Sequence, residues 1–283
     1  MFYVSSCAKV FMHELQEKIY KALAYQLKEP TLFSKFHLFF IAFTAITILV
    51  VVALFKNSSE KSYRIFLMLV WLILVLGEVY REIVFSVTLN DGVFAFDYGW
   101  SHFPFQICSA PLYLIPPVAL LRKGFIRDAS ACFLAVWSLF GGLAVTIYPG
   151  EVFTVFRGVC IQTLFHHGMQ VVVGVLIAAR NAKRLDFSFF AKGYAMFMLY
   201  LGIAMFLNDY VYKMHTERGE VHYFNMCYIS PHEESIFPFL EKIREATSYS
   251  GMLASYILGF TLIAVIVYSV ERALTKKSRK LLV

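Results

Sequence analysis

The sequence predicts an all-α integral membrane protein, a polytopic bundle of about seven transmembrane helices preceded by an amphipathic interfacial helix. Three observations predict it. First, the 283 residues are 59% hydrophobic and 16% charged, which is too apolar for an ordinary soluble domain. Second, seven stretches carry no charge: His37 to Phe55, Ile65 to Gly77, Phe105 to Leu121, Ala129 to Tyr148, Gly158 to Ala179, Gly193 to Leu207 and Gly251 to Val270. Most approach the ~20 residues that cross a ~30 Å hydrocarbon core, and the shorter ones reach it once adjoining polar residues face a bundle interior. They are continuous rather than alternating, which argues against a barrel. Third, Lys and Arg concentrate in every second connection.

Taken in order, Phe11, Leu15, Ile19, Leu23 and Leu27 recur every four residues with Glu14, Glu17, Lys18 and Lys21 between them, the pattern of an amphipathic helix. Pro30 ends it. It lies on the membrane surface or packs on the bundle. The first residues lack the basic region, apolar core and small-residue site of a cleavable signal. The chain thus divides into an amphipathic segment (residues 1–34), a seven-helix domain (35–272) and a basic tail (273–283). Lys56, Lys61 and Arg64 follow the first span; Arg122, Lys123 and Arg127 follow the third; Arg180, Lys183 and Arg184 follow the fifth; Arg272, Lys276, Lys277, Arg279 and Lys280 follow the seventh. The connections Leu89 to Pro104 and Pro149 to Arg157 have none and one. Short basic loops stay cytoplasmic, which places the C-terminus inside and the N-terminus outside; the five lysines from Lys9 to Lys35 pull the other way. The net charge of +7 belongs to these loops, and no nucleic-acid partner is expected.

Within the spans, Pro116 and Pro117 should kink the third, and Gly141 and Gly142 should allow close helix contact in the fourth. The longest connection, about Asp209 to Ser248, holds His215, His222, Cys227 and His232 and either caps the outer mouth or simply connects. The five cysteines (Cys7, Cys108, Cys132, Cys160, Cys227) show no metal-type spacing and are odd in number, so neither a disulfide framework nor a metal motif is read. No cofactor is expected.

Span parity brings one set of polar residues to the same half of the bilayer: Glu78, Arg81 and Glu82; Gln106 and Cys108; Gln162, His166 and His167; Asn208 and Asp209. Such groups are costly in a membrane unless paired or hydrated, and are functional candidates. Glu78 and Glu82 share a helix face with Arg81 close by, either as an ordering ion-pair network or as a headgroup site. Gln162, His166 and Gln170 form one ladder, with His167 offset by about 100°. Cys108, about one turn after Pro104, sits near a helix N-terminus, where a thiolate is favoured. The alternative for Cys108 is inert packing, the reading given to Cys132 and Cys160.

The segments His102-Phe103-Pro104-Phe105-Gln106-Ile107-Cys108-Ser109 with Pro111-Leu112-Tyr113, Leu139-Phe140-Gly141-Gly142-Leu143-Ala144 with Tyr148-Pro149-Gly150, Gln162-Thr163-Leu164-Phe165-His166-His167-Gly168, and Phe224-Asn225-Met226 with Tyr228-Ile229-Ser230-Pro231 carry a family likeness. Over roughly Glu78 to Phe260 the chain resembles the family that unites bacterial YwaF-like membrane proteins with the vertebrate transmembrane protein 164 acyltransferase. That resemblance implies a seven-helix fold and, in the vertebrate branch, acyl transfer between phospholipids by a cysteine nucleophile with a histidine partner. Carried over, these are Cys108 and His166, with His167 able to claim the same role.

The expected function is therefore a membrane-embedded, cysteine-dependent acyltransferase or lipid hydrolase of the bacterial cell membrane. It would act on phospholipid or lysophospholipid through an acyl-thioester. Glu78, Arg81, Glu82, Gln106, Gln162, His167 and Asn208 would bind substrate or support the site. Two alternatives use the same residues. One is a transporter or binding module built on the Glu/Arg/His cluster. The other is a metal-dependent lipid hydrolase holding zinc on His166, His167, His102 and a glutamate. The oligomeric state is not legible.

Overall fold

A computed structural model of the chain describes residues 6–280 other than Asp91, Glu151 and Val221, with side chains described over residues 13–274. The side chains of Cys7, of Phe11 in the amphipathic pattern and of the last four basic tail residues lie outside this set. The all-α polytopic fold class is the observed one. The helices are α1 (Ser6–Leu23), α2 (Lys35–Phe55), α3 (Glu60–Ser86), α4 (Ala110–Leu120), α5 (Phe125–Phe133), α6 (Leu139–Ile147), α7 (Arg157–Arg180), α8 (Phe187–Glu217), α9 (Pro238–Ala246) and α10 (Tyr249–Lys280). Among the described residues six segments are long and apolar enough to cross a membrane: α2, α3, the rod Phe125–Ile147 that joins α5 to α6, α7, α8 and the Tyr249–Leu274 part of α10. The chain is an integral membrane protein.

Local chemistry sets the helix starts. Ser34 caps α2 by accepting from the His37 amide, Ser59 caps α3 by accepting from the Ser62 amide, and Asp186 caps α8 by accepting from the Phe189 amide. The basic connections meet at one end. Glu60 takes Arg64 (3.1 Å), Arg127 (3.0 Å) and Arg180 (3.2 Å), while Asp128 takes Arg184 (2.6 Å) and Lys192 (2.8 Å). The Arg180 guanidinium also lies 4.1 Å over the Tyr63 ring and donates to the Phe55 carbonyl at 2.7 Å. Loops separated by two spans each thus share one membrane face, as their charge alternation requires.

The connections poor in basic residues meet at the other end, and α1 lies with them. Tyr20 donates to the Val87 carbonyl (2.6 Å), His13 Nε2 to Gly92 (2.6 Å), and Tyr80 to Leu23 (2.7 Å). Residues 24–34 then run beside residues 155–157, with the Leu27 amide on Val155 and the Arg157 amide on Tyr25. Helix α1 therefore packs on the bundle's loops while Leu15, Ile19 and Leu23 stay exposed, the amphipathic face expected of an interfacial helix. It stops at Leu23, short of Pro30.

Three features depart from the predicted layout. The connection after α3 folds into a hairpin, β1 (Val87–Asn90) against β2 (Val93–Phe96), and then two 3₁₀ turns, Trp100–His102 and Ile107–Ser109. Helix α8 continues two turns past Asn208 to Glu217, and α10 runs on into the predicted tail. Most important, the third span is a short helix. Helix α4 begins at Ala110 rather than near Pro104, and its 11 residues cover roughly 16 Å. Pro116 cannot donate to the Leu112 carbonyl one turn back, and Trp71 Nε1 from α3 supplies that bond at 2.8 Å. The irregular backbone before α4 is tolerated at this depth because protein surrounds it.

The fourth span is not a regular α-helix either. Leu134–Ser138 forms a π segment between α5 and α6, and Gln170 Nε2 of α7 bonds its Ser138 carbonyl (2.6 Å) and hydroxyl (2.9 Å). Helices α6 and α7 touch closely at Gly142, where a Cβ would stand 2.8 Å from the His167 carbonyl. That contact sets the height of the His166–His167 turn.

Candidate functional site

The site is built where the last turns of α3, the turn before α4 and the first half of α7 converge. On α3, Arg81 is folded back between two carboxylates. Its Nε donates to Glu78 Oε1 at 3.1 Å, and its Nη2 donates to Glu78, to Glu82 Oε1 (2.8 Å) and to the His102 carbonyl (2.5 Å). Glu78, Arg81 and Glu82 are all largely withdrawn from the surface, with side-chain exposures of 11%, 17% and 19%. A guanidinium suits this role because its planar fork serves several oxygens at once. Its Nη1 makes no hydrogen bond to a described residue.

The His102 carbonyl ties this network to the segment leading into Cys108. The His102 ring stacks on Phe85 with centroids 4.1 Å apart and planes 9° apart, and its Nδ1 is buried without a partner. Burial, then the charge of Arg81, holds this imidazole below its usual value of 6.5. The unfolded chain therefore takes up the proton first. The stabilisation from a neutral His102 is complete above about pH 6.5 and is lost as pH falls below it. We expect the melting temperature in detergent to drop between about pH 7 and about pH 5, and His102→Asn to flatten that drop. A pH profile unchanged by the substitution would show that His102 carries no such load. Beside Glu82, burial and the carboxylate push the Tyr98 phenol up to about 12, so it stays a neutral donor.

Cys108 is half-buried in the 3₁₀ turn Ile107–Ser109, immediately before α4. The sequence placed it about one turn after Pro104, near a helix start; the structure changes that count. Arg64 bonds the Leu121 carbonyl at the basic end of α4. Counting 13 residues back from there puts Cys108 about 20 Å up, or some 10 Å below the far boundary of a ~30 Å core. His166, nine residues into α7 from that boundary, comes to about 13 Å. The two levels agree, and the residues meet: His166 Nε2 lies 3.1 Å from the carbonyl oxygen of Cys108. A carbonyl only accepts, so Nε2 carries the hydrogen and Nδ1 is the basic nitrogen. That Nδ1 is buried without a partner.

His167 is separated from this contact. Its Nδ1 donates to the Thr163 carbonyl of its own helix at 2.7 Å, and its Nε2 is left without a partner. Of the two adjacent histidines, His166 is the one that the fold sets against Cys108. Gln162 lies against Gly77 of α3, one residue before Glu78, and its Oε1 accepts from Thr163 at 3.2 Å, while its Nε2 has no bond to a described residue.

Gln106 and Asn208 turn out to hold one loop. Gln106 Nε2 donates to the Asn225 carbonyl (2.9 Å) and its Oε1 accepts from the Cys227 amide (2.7 Å). Asn208 brackets Met226 in the same way, at 3.1 and 2.7 Å. These amides pin a turn in which Cys227 and Tyr228 both adopt positive φ (55° and 58°), a conformation that β-carbons disfavour. The loop therefore closes over the Cys108 turn, and the sulfur of Cys227 packs against the Phe105 carbonyl at 3.5 Å. Asp209 faces outward and pairs with Lys213 and His232. Three further groups were not anticipated. Asn225 orders the loop through Glu234 and Ser230, Tyr200 donates to the Gln106 carbonyl at 2.9 Å, and Trp71 serves Leu112. The histidines of the predicted zinc alternative do not gather with a carboxylate. Among the described residues the one such group is His215, Glu220 and His222.

The fold sets a tautomerically fixed imidazole against the turn that carries the thiol, with the carboxylate-clamped guanidinium and the Gln162 amide on the neighbouring helices α3 and α7. A model of the TMEM164 family matches residues 32–270. No curated protein and no solved structure matches the chain.

Proposed function

Because the chain belongs to the TMEM164 family, we propose that it is a membrane-embedded acyltransferase working through an acyl-thioester on Cys108. The observation that carries this reading is the contact of His166 Nε2 with the Cys108 carbonyl, which sets the imidazole against the turn that holds the half-buried thiol and leaves Nδ1 without a partner.

In the first half-reaction His166 accepts the thiol proton, and the thiolate attacks the carbonyl carbon of a phospholipid acyl ester. The C–O bond breaks, the leaving lysolipid oxygen takes the proton back from His166, and the acyl chain remains as a thioester. In the second half-reaction His166 takes the proton of an acceptor hydroxyl, whose oxygen attacks the thioester carbonyl; the C–S bond breaks and the departing sulfur takes the proton from His166, restoring the thiol. Gln162 Nε2 is a donor for the developing oxyanion. Arg81 Nη1 is the group for a lipid phosphate, while its other nitrogens hold the site in shape. Glu78, Glu82, Gln106 and Asn208 act through Arg81 and the Asn225–Tyr228 turn. The substrates on this reading are membrane phospholipids and lysophospholipids, in a bacterial cell membrane with the C-terminus cytoplasmic.

The test is labelling of the purified protein in lipid nanodiscs with a phospholipid whose acyl chain bears an alkyne. A hydroxylamine-labile tag should map to Cys108 and vanish in Cys108→Ser. Absence of any tag across phospholipid classes, with Cys108→Ser fully functional in cells, would favour the binding or transport reading of the Arg81 cluster.

A further inference from the structure

We propose that His215, Glu220 and His222 bind a zinc ion. This site stands apart from Cys108 and does not rest on the acyl-transfer reading. It begins with the way α8 ends. The Arg218 and Glu220 amides both return to the His215 carbonyl (3.0 and 2.9 Å), and the Gly219 amide to Thr216 (3.1 Å). Gly219 has φ +68°, which a glycine adopts without strain and which reverses the chain at a helix C-terminus. The reversal brings Glu220 and His222 back alongside His215, the last histidine of the helix. One ligand atom from each of the three lies within 4.8 Å of the other two.

The donor set is two imidazoles and one carboxylate, which suits zinc and leaves a fourth tetrahedral position for water. Calcium and magnesium favour oxygen cages and do not fit a nitrogen pair. The spacing is close to what a metal needs. His222 Nε2 stands 3.6 Å from Glu220 Oε2. Two ligands bound tetrahedrally at about 2.0–2.1 Å are roughly 3.4 Å apart.

His215 is buried, at 4% exposure, yet its ring makes no hydrogen bond to a described residue. It lies against the His222 ring, with centroids 4.4 Å apart and planes tilted by 46°. Trp100 closes the other side, edge-on to His215 at 5.0 Å, and gives the metal an apolar wall. A metal there clips the chain just past α8 to its parent helix. The same stretch leads into the Asn225–Tyr228 turn, so the clip fixes the root of the loop that covers the Cys108 segment.

The experiment uses the full chain, purified through a tag without histidines, stripped with chelator, reloaded with zinc chloride in nanodiscs and exhaustively dialysed. Mass spectrometry of metal content should find about one zinc per chain. His222→Ala and Glu220→Gln, both at accessible positions, should each abolish that retention while the protein still elutes as the wild type does. Cobalt substituted for zinc should give a tetrahedral spectrum in the wild type and not in His222→Ala. His166→Ala/His167→Ala should keep the zinc. Wild-type protein that retains none, variants at 220 and 222 that retain as much as wild type, or zinc lost from the 166/167 variant instead would each overturn the proposal.

Discussion

His166→Ala is expected to slow acylation of Cys108 about 10²–10⁴-fold, the range for loss of a positioned general base. The measurement is a single-turnover rate with alkyne-tagged phospholipid at saturating lipid. Two companion variants give the result its meaning. His166→Gln keeps a donor for the Cys108 carbonyl but has no nitrogen that can take a proton. It should be nearly as slow as alanine, whereas a purely positional role for His166 would leave it close to wild type. His167→Ala removes a ring whose bond goes to Thr163 of its own helix. That carbonyl keeps its helical amide partner, so the effect should stay within about tenfold. A reversed order, with His167→Ala the slower enzyme, would transfer the base role to the neighbour.

Arg81→Met should cost about 3–5 kcal/mol of stability, because it leaves Glu78 and Glu82 buried side by side with no cation. Removing one partner of a buried ionic cluster is worse than removing all of it. Arg81→Met/Glu78→Gln/Glu82→Gln is therefore expected to recover most of the loss, as read by denaturant unfolding in mixed micelles. Arg81→Lys should recover less, since an ammonium cannot serve two carboxylates and the His102 carbonyl with the same planar geometry. If the triple variant were as unstable as Arg81→Met, the cluster's contribution would lie in packing rather than in charge. The triple variant also addresses function. Restored stability without restored labelling of Cys108 would show that the guanidinium does more than order the bundle.

Charge made the topology legible in the sequence. Glu60 collects Arg127 and Arg180 from loops that the alternation had already put on one face, and the convergence of Glu78, Arg81, Cys108 and His166 followed from counting spans. The length of α4 was not legible. Pro116 and Pro117 read as kinks in a span, and only tertiary partners such as Trp71 on Leu112 reveal that the helix starts late and still has that carbonyl satisfied. Gln106 was read as part of the site because span parity put it at the depth of Cys108. Its actual partners are Asn225 and Cys227, which are 119 and 121 residues away and beyond any local pattern. The π segment at Leu134–Ser138 likewise has no local signal; its stabilising bond comes from Gln170 on another helix. His215, Glu220 and His222 were visible as residues but not as a group, because their convergence needs the left-handed turn at Gly219.

The short α4 has one more consequence. Because the chain reaches Cys108 through a helix of 11 residues anchored at the basic end, the height of that turn is set by protein and not by the bilayer around it. Membranes differ in thickness by several ångströms with acyl-chain length and sterol content. In a thicker membrane the ester groups of the opposite leaflet ride higher above the thiol; in a thinner one they come down to meet it. If the proposed acyl transfer holds, its rate would gauge the thickness of the surrounding membrane, fastest where chains are short and slower as they lengthen.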